Sequence, residues 1–92
     1  MSEYKMIAVS GGFYFFGKEV PAPDGYYALT ECSMSGSFSG GKGMPGVCRG
    51  DKDAKIILDR FDKNDIQYFP LTAVFAIFTS VNLYERETTT LR

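Results

Sequence analysis

The chain has 92 residues, a formal net charge of −1 and no histidine. At this length about 60–65% of the unfolded surface is buried on folding, which supports one core and a single domain, residues 1–92. Hydrophobic residues at 45% and charged residues at 23% exclude a disordered chain, the missing imidazole excludes histidine-based catalysis and the commonest zinc ligand, and the near-zero charge excludes nucleic-acid binding by electrostatic attraction alone.

Tyr4–Ser10 reads as a strand, and Gly11-Gly12 supplies the two-residue link of a tight hairpin. In the returning strand Phe13–Gly17, alternation puts Phe13 and Phe15 on one face and Tyr14 and Phe16 on the other. One pair enters the core; the other packs under a helix or forms an exposed aromatic surface. Pro21 and Pro23 interrupt regular pairing. Pro23-Asp24-Gly25 predicts a turn, with proline presetting the first central angle and glycine accepting a positive φ. Tyr26–Met34 resumes a strand, with Tyr26, Ala28, Thr30, Cys32 and Met34 on one face and Tyr27, Leu29, Glu31 and Ser33 on the other.

Six of the ten glycines fall in residues 35–50, and a mobile loop is expected there because ordering glycine costs much backbone entropy. A helix is predicted over roughly Lys52–Lys63. Asp51 or Asp53 caps it, Ala54, Ile57, Leu58 and Phe61 recur at the spacing of one helical face, and Asn64 ends it in a left-handed conformation. Pro70 opens a second, short helix with Leu71, Val74, Phe75, Phe78 and Val81 on its apolar face, although the same residues also suit a buried strand. An edge strand from about Val81 to Thr90 follows. The expected fold class is therefore α+β, an antiparallel sheet of about four to five strands with one or two helices packed on one face.

Motifs that carry chemistry are few. Gly36-Ser37-Phe38-Ser39-Gly40-Gly41-Lys42 fits the start of a phosphate-binding loop, yet Gly43 stands where Ser or Thr must hold magnesium. Arg49-Gly50-Asp51 is read as the turn into the first helix. A calcium loop begun at Asp62 fails at Ile66, Gln67 and Ala73. Cys32 and Cys48 are too few for a zinc site and are expected to be reduced in a cytoplasmic protein, since no secretion signal is apparent. Cys48 has Arg49 beside it and Lys52 close by, a setting that lowers a thiol pKa, but burial as a small apolar residue is the commoner fate. Phe69–Val81 is too short to span a bilayer. No catalytic residue, cofactor, metal, membrane or small-molecule substrate is expected.

Charge is distributed unevenly. Residues 1–41 hold two lysines against four acids, whereas residues 42–63 hold six basic residues against four acids. The stretch from Lys42 to Arg49 has no acid at all. Together with fourteen aromatics (six Tyr, eight Phe), this suggests a partner-binding surface made of Lys42, Arg49 and Lys52 with Tyr14, Tyr26 and Tyr27.

Two functions of different class fit. In size, single-domain character and lack of catalytic equipment the chain resembles the small phage-encoded anti-CRISPR inhibitors of type I-F surveillance complexes. The resemblance covers length and character and transfers no residue. It implies a non-catalytic inhibitor that binds a bacterial host protein or RNA-guided nucleoprotein complex and blocks target DNA recognition; the basic residues around the glycine-rich loop leave room for direct RNA or DNA contact as part of that interface. The alternative is a single-stranded nucleic-acid-binding protein that stacks bases on a β-sheet aromatic surface and grips phosphates with the Gly/Lys loop.

Overall fold

In the computed structural model, which describes residues 4–40, 42–79 and 81–92, the amino-terminal hairpin forms where the sequence predicts it, but Val9 pairs with Phe13, so the link is the three residues 10–12 and not Gly11-Gly12 alone. Gly41 of the glycine-rich segment and Ser80 of the apolar stretch lie outside the described residues. Strand β1 (Tyr4–Val9) pairs antiparallel with β2 (Phe13–Val20), from Tyr4↔Lys18 to Val9↔Phe13. Gly11 and Gly12 take φ of 91° and 82° in the link, a region that side-chain-bearing residues rarely adopt. At the second turn the Tyr26 N–H donates to the Pro23 carbonyl at 3.1 Å. Asp24 and Gly25 are therefore the central residues, and proline stands one position earlier than expected.

Strand β3 (Tyr26–Ser39) runs for 14 residues and is bent. Phe16 pairs with Ser33 and Lys18 with Thr30, so two residues, Glu31 and Cys32, stand opposite the lone Gly17. Such a bulge turns the strand and reverses its alternation. Glu31 has φ 50°, the one positive value outside glycine among the described residues. As a result Cys32 joins Tyr27 and Leu29 in one core cluster, instead of lying with Tyr26, Ala28 and Thr30.

On its second edge β3 needs a hydrogen-bonding neighbour on each side of the bulge. Strand β4 (Lys55–Arg60) supplies it along Ser33–Ser39, and β5 (Ile66–Pro70) does so along Tyr26–Thr30. Strand β6 (Val74–Phe78) pairs with β1, and β7 (Thr89–Leu91) lies parallel to β4. The sheet thus reads β6-β1-β2-β3-β4-β7 with β5 alongside β3, seven strands among the described residues. Among the described residues helical structure is limited to α1 (Met44–Arg49) and 3-10 turns at Leu71–Ala73 and Leu83–Glu85. The architecture is mostly β, not α+β with helices covering a sheet.

Each misplaced element has a physical cause. Over residues 52–63 the buried set is Ala54, Ile56 and Leu58, a period of two that coexists with the helical spacing. The open edge of β3 selects the strand. After Pro70 one 3-10 turn leads into β6, because β1 offers a ladder to the β-branched and aromatic run. The predicted strand over 81–90 shrinks to Thr89–Leu91.

The expected loop over 35–50 is largely regular. β3 continues to Ser39, and α1 begins at Met44 with Pro45 in its first turn. Gly50 ends α1 at φ 82°, with its N–H on the Val47 carbonyl and the Asp51 N–H on the Gly46 carbonyl, both at 3.1 Å. This is the Schellman pattern of helix termination. Arg86 reaches over from the 3-10 turn region and donates to the carbonyls of Val47 and Cys48, the latter at 2.9 Å. A cation thereby meets the negative end of the helix.

Two clusters flank the sheet. Met6, Phe16, Ile56 and Leu58 pack beneath α1 with Met44, Val47, Val81 and Leu83. Ile7, Val9, Tyr27, Leu29 and Cys32 form the other, with Phe15, Phe69 and Val74 against them. Full burial of a side chain the size of Phe16 or Leu29 stabilises by about 1.5–3 kcal/mol. Cys32 lies in one cluster and Cys48 packs on the other, so the thiols sit on different faces and both are free. The sheet is curled enough that the Leu71–Ala73 turn ties two of its corners together. The Leu71 N–H donates to Gly25 O and the Ser10 N–H to Ala73 O, each at 2.9 Å.

Candidate interaction surface

The β3–β5 ladder sets Tyr26 opposite Pro70, Ala28 opposite Tyr68 and Thr30 opposite Ile66. Directly opposed residues of an antiparallel pair share a face, so these six side chains line one side while Tyr27, Leu29 and Phe69 point to the core. Ala28 is too small to reach past its neighbours and is buried. Tyr26, Ile66 and Tyr68 remain 48%, 44% and 52% exposed on a hydrogen-bonded ladder. Val20 opposite Ala28 and Lys18 opposite Thr30 extend the same face onto β2.

The chain from β5 into β6 is uniform in another respect. Residues 66–84 contain 19 positions and no Asp, Glu, Lys or Arg. Along this run Leu71, Phe75 and Ile77 are also exposed, so five of its large apolar side chains face solvent. A large exposed apolar patch marks an interaction site.

Of the residues singled out from sequence, Tyr26 lies on this face. Tyr27 is 9% exposed, with its hydroxyl donating to Glu19 Oε1 at 3.2 Å. Burial, followed by the Glu19 charge and hydrogen bond, raises its pKa well above the ordinary tyrosine value. Tyr14 is half-buried against the cluster beneath α1 and meets the Phe38 ring edge-on at 5.5 Å. Lys42 and Lys52 are exposed on either side of α1, and Arg49 forms an ion pair with Asp51 at 2.8 Å. Tyr14 thus shares the α1 end of β3 with the basic residues, while Tyr26 stands at the other end of that strand. The fold does not bring these residues into one surface.

A separate cleft of about 260 Å³ opens beside the bulge, lined by Glu31, Cys32, Arg60, Phe61, Lys63, Tyr84 and Leu91. The Tyr84 hydroxyl donates to Glu31 O and is in contact with Ser33 Oγ, both at 2.7 Å. Tyr84 also packs on Phe16 and Tyr4 with ring centroids 4.9 and 5.5 Å away. Burial pushes the Cys32 thiol up to about 12 and the Cys48 thiol up to about 11, the latter despite the opposing pull of Arg86. At neutral pH both thiols stay protonated and unactivated. Among the described residues no group of three or more Cys, Asp and Glu is placed to hold a metal ion. Among them, too, no helix is long and apolar enough to cross a membrane.

No family model, curated protein or solved structure matches the chain. The apolar face of β3–β5 is then the feature that stands out by its physical chemistry. Ile66, Tyr68, Leu71, Phe75 and Ile77 escaped the sequence reading, which assigned Leu71 and Phe75 to a buried helical face. The signal that finds them is the absence of charge over residues 66–84 in a chain that is 23% charged.

Proposed function

We propose that the chain is a small non-catalytic interaction protein that docks on another protein through the Tyr26, Ile66 and Tyr68 face. The observation that carries this reading is three large, half-exposed apolar side chains on one rigid ladder. Tyrosine suits such a role because it brings area and a polar tip at low entropic cost. The resemblance in size and character supplies the partner class, a bacterial RNA-guided nucleoprotein complex whose target recognition is blocked. Nucleic acid is the weaker partner for this face. Lys18 is the one cation in register with it, and the residues suited to phosphate contact cluster around α1 instead.

The test uses a purified type I-F surveillance complex and its target DNA in a binding assay. Wild-type protein is expected to reduce DNA binding, and the Tyr26→Ser/Tyr68→Ser double variant to need at least about tenfold more protein for the same effect. Unimpaired DNA binding with wild type would overturn the partner class; equal potency of the double variant would overturn the surface. Tight, steeply salt-dependent binding of oligothymidine by the chain alone would move the function to single-stranded nucleic acid.

A further inference from the structure

The second edge of β3 is paired in two lengths. β4 covers Ser33–Ser39 and β5 covers Tyr26–Thr30, so Glu31 and Cys32 have no strand opposite them there. The chain leaves the ladder after the Phe61 N–H, which donates to the Cys32 carbonyl at 2.9 Å. It returns where Thr30 Oγ1 donates to the Asp65 carbonyl at 3.3 Å. Between these points Asp62 holds a turn, its carboxylate accepting from the Asn64 N–H at 2.9 Å. The cleft of about 260 Å³ is the notch that this detour leaves in the sheet, and its apolar walls are Cys32, Phe61, Tyr84 and Leu91. Two of the walls are fixed from behind. Phe61 is stacked on Phe15 with ring centroids 6.3 Å apart, and Tyr84 is held by its hydroxyl contacts to Glu31 and Ser33. Phe61 and Leu91 each stay 39% exposed.

Positive charge is concentrated at the same place. Arg60 and Lys63 line the cleft, and among the described residues neither side chain has an ion-pair or hydrogen-bond partner. Glu31 is the one acid in that lining, and its carboxylate accepts from the Tyr4 hydroxyl at 3.3 Å. Asp62 and Asp65 are not part of it, so the lining sets two cations against one anion. Glu31 also holds φ 50°, and backbone strain outside glycine collects at binding sites. We infer that the notch binds a small aromatic carboxylate, its ring against Phe61, Tyr84 and Leu91 and its carboxylate on Arg60 and Lys63. An arginine fork matches a carboxylate in two parallel bonds, and lysine adds a point charge. The volume lies below the roughly 300–1,000 Å³ of pockets for drug-sized ligands, which limits the occupant to about one ring and a short acid arm. The walls are already ordered, so binding loses little freedom in them. This site goes beyond the docking reading and shares no residue with the Tyr26, Ile66 and Tyr68 face.

The experiment is a titration of the isotope-labelled full chain with phenylacetate at constant ionic strength, read by backbone amide shifts. Saturable shifts are expected at Cys32, Phe61, Lys63, Tyr84 and Leu91, with a dissociation constant of about 1 mM or tighter. Phenylacetamide keeps the ring but not the charge and is expected to bind at least about fivefold more weakly. Acetate has the charge without the ring and should give no saturable shift. The Arg60→Gln/Lys63→Gln double variant changes two exposed side chains, so its spectrum outside the notch should match wild type. It is expected to bind acid and amide equally, and its retained binding of the amide shows that the walls are intact. Absence of saturable shifts up to about 20 mM phenylacetate overturns the inference, as do shifts centred elsewhere on the surface. Equal affinity of wild type for acid and amide, or a double variant that still prefers the acid, overturns the carboxylate contacts. None of these outcomes depends on the surveillance-complex assay, where Tyr26 and Tyr68 are the residues changed.

Discussion

Gly17→Ala tests the bulge that shapes the whole sheet. A methyl group at position 17 would lie 2.8 Å from the Thr30 carbonyl oxygen, 3.1 Å from Cys32 Cα and 3.2 Å from Leu29 Cβ. The first two are backbone atoms, so no rotamer change relieves the contact. Elsewhere in a compatible conformation, glycine to alanine stabilises by about 0.4–1 kcal/mol because the unfolded chain loses freedom. Overpacking a closed site costs about 1–3 kcal/mol, and here it decides the sign. With about 4–8 °C of Tm per kcal/mol for a domain of this size, the variant should melt roughly 5–20 °C lower. The assay is thermal and urea unfolding followed by far-UV circular dichroism, paired with amide shifts at Glu31 and Cys32. A Tm equal to or above that of wild type would refute the close approach of β2 to the β3 bulge.

Arg86→Met keeps the aliphatic stem but removes the two donors on the last carbonyls of α1. Charge-assisted bonds of this kind are worth about 1.5–3 kcal/mol, so the urea midpoint should fall; an unchanged midpoint would show that water serves the helix end as well. The thiols give a pH dependence with a definite sign. Both are raised above the ordinary 9.0, to about 11 for Cys48 and about 12 for Cys32. The unfolded chain therefore releases these protons first. Their contribution to stability is complete below pH 9 and is lost as pH rises through 11 to 12. Urea unfolding should show a falling midpoint from pH 9 upward, and folded protein should react slowly with a thiol reagent at pH 8; rapid reaction of both thiols would refute their burial.

The local turns were legible because their chemistry lies within a few residues. Gly11-Gly12 closes β1 onto β2, and Gly25 takes the positive φ of the second turn, since glycine alone accepts these angles at no steric cost. Helix α1 was legible in retrospect. Met44, Val47 and Cys48 share one face, Pro45 stands early and Gly50 stands just past the end, but the surrounding glycines hid the pattern. Residues 54–61 satisfied both periods at once. Ala54, Ile57, Leu58 and Phe61 fit a helix, while Ala54, Ile56 and Leu58 fit a strand, and only the second set is fully buried.

The candidate site divides in the same way. Tyr26 was identified from its place in an aromatic strand, but its neighbours Tyr68 and Ile66 come from some forty residues away through the β3–β5 register. By itself the sequence determined the place of the first hairpin and of the turn after it. These rest on backbone angles that a residue carries with it. The choice of strand over helix at β4 and β6, the reversed alternation at Glu31 and the exposure of the uncharged β5–β6 run were decided by tertiary structure. Each depends on which distant edge is left without a hydrogen-bonding partner, and no local window of the chain contains that information.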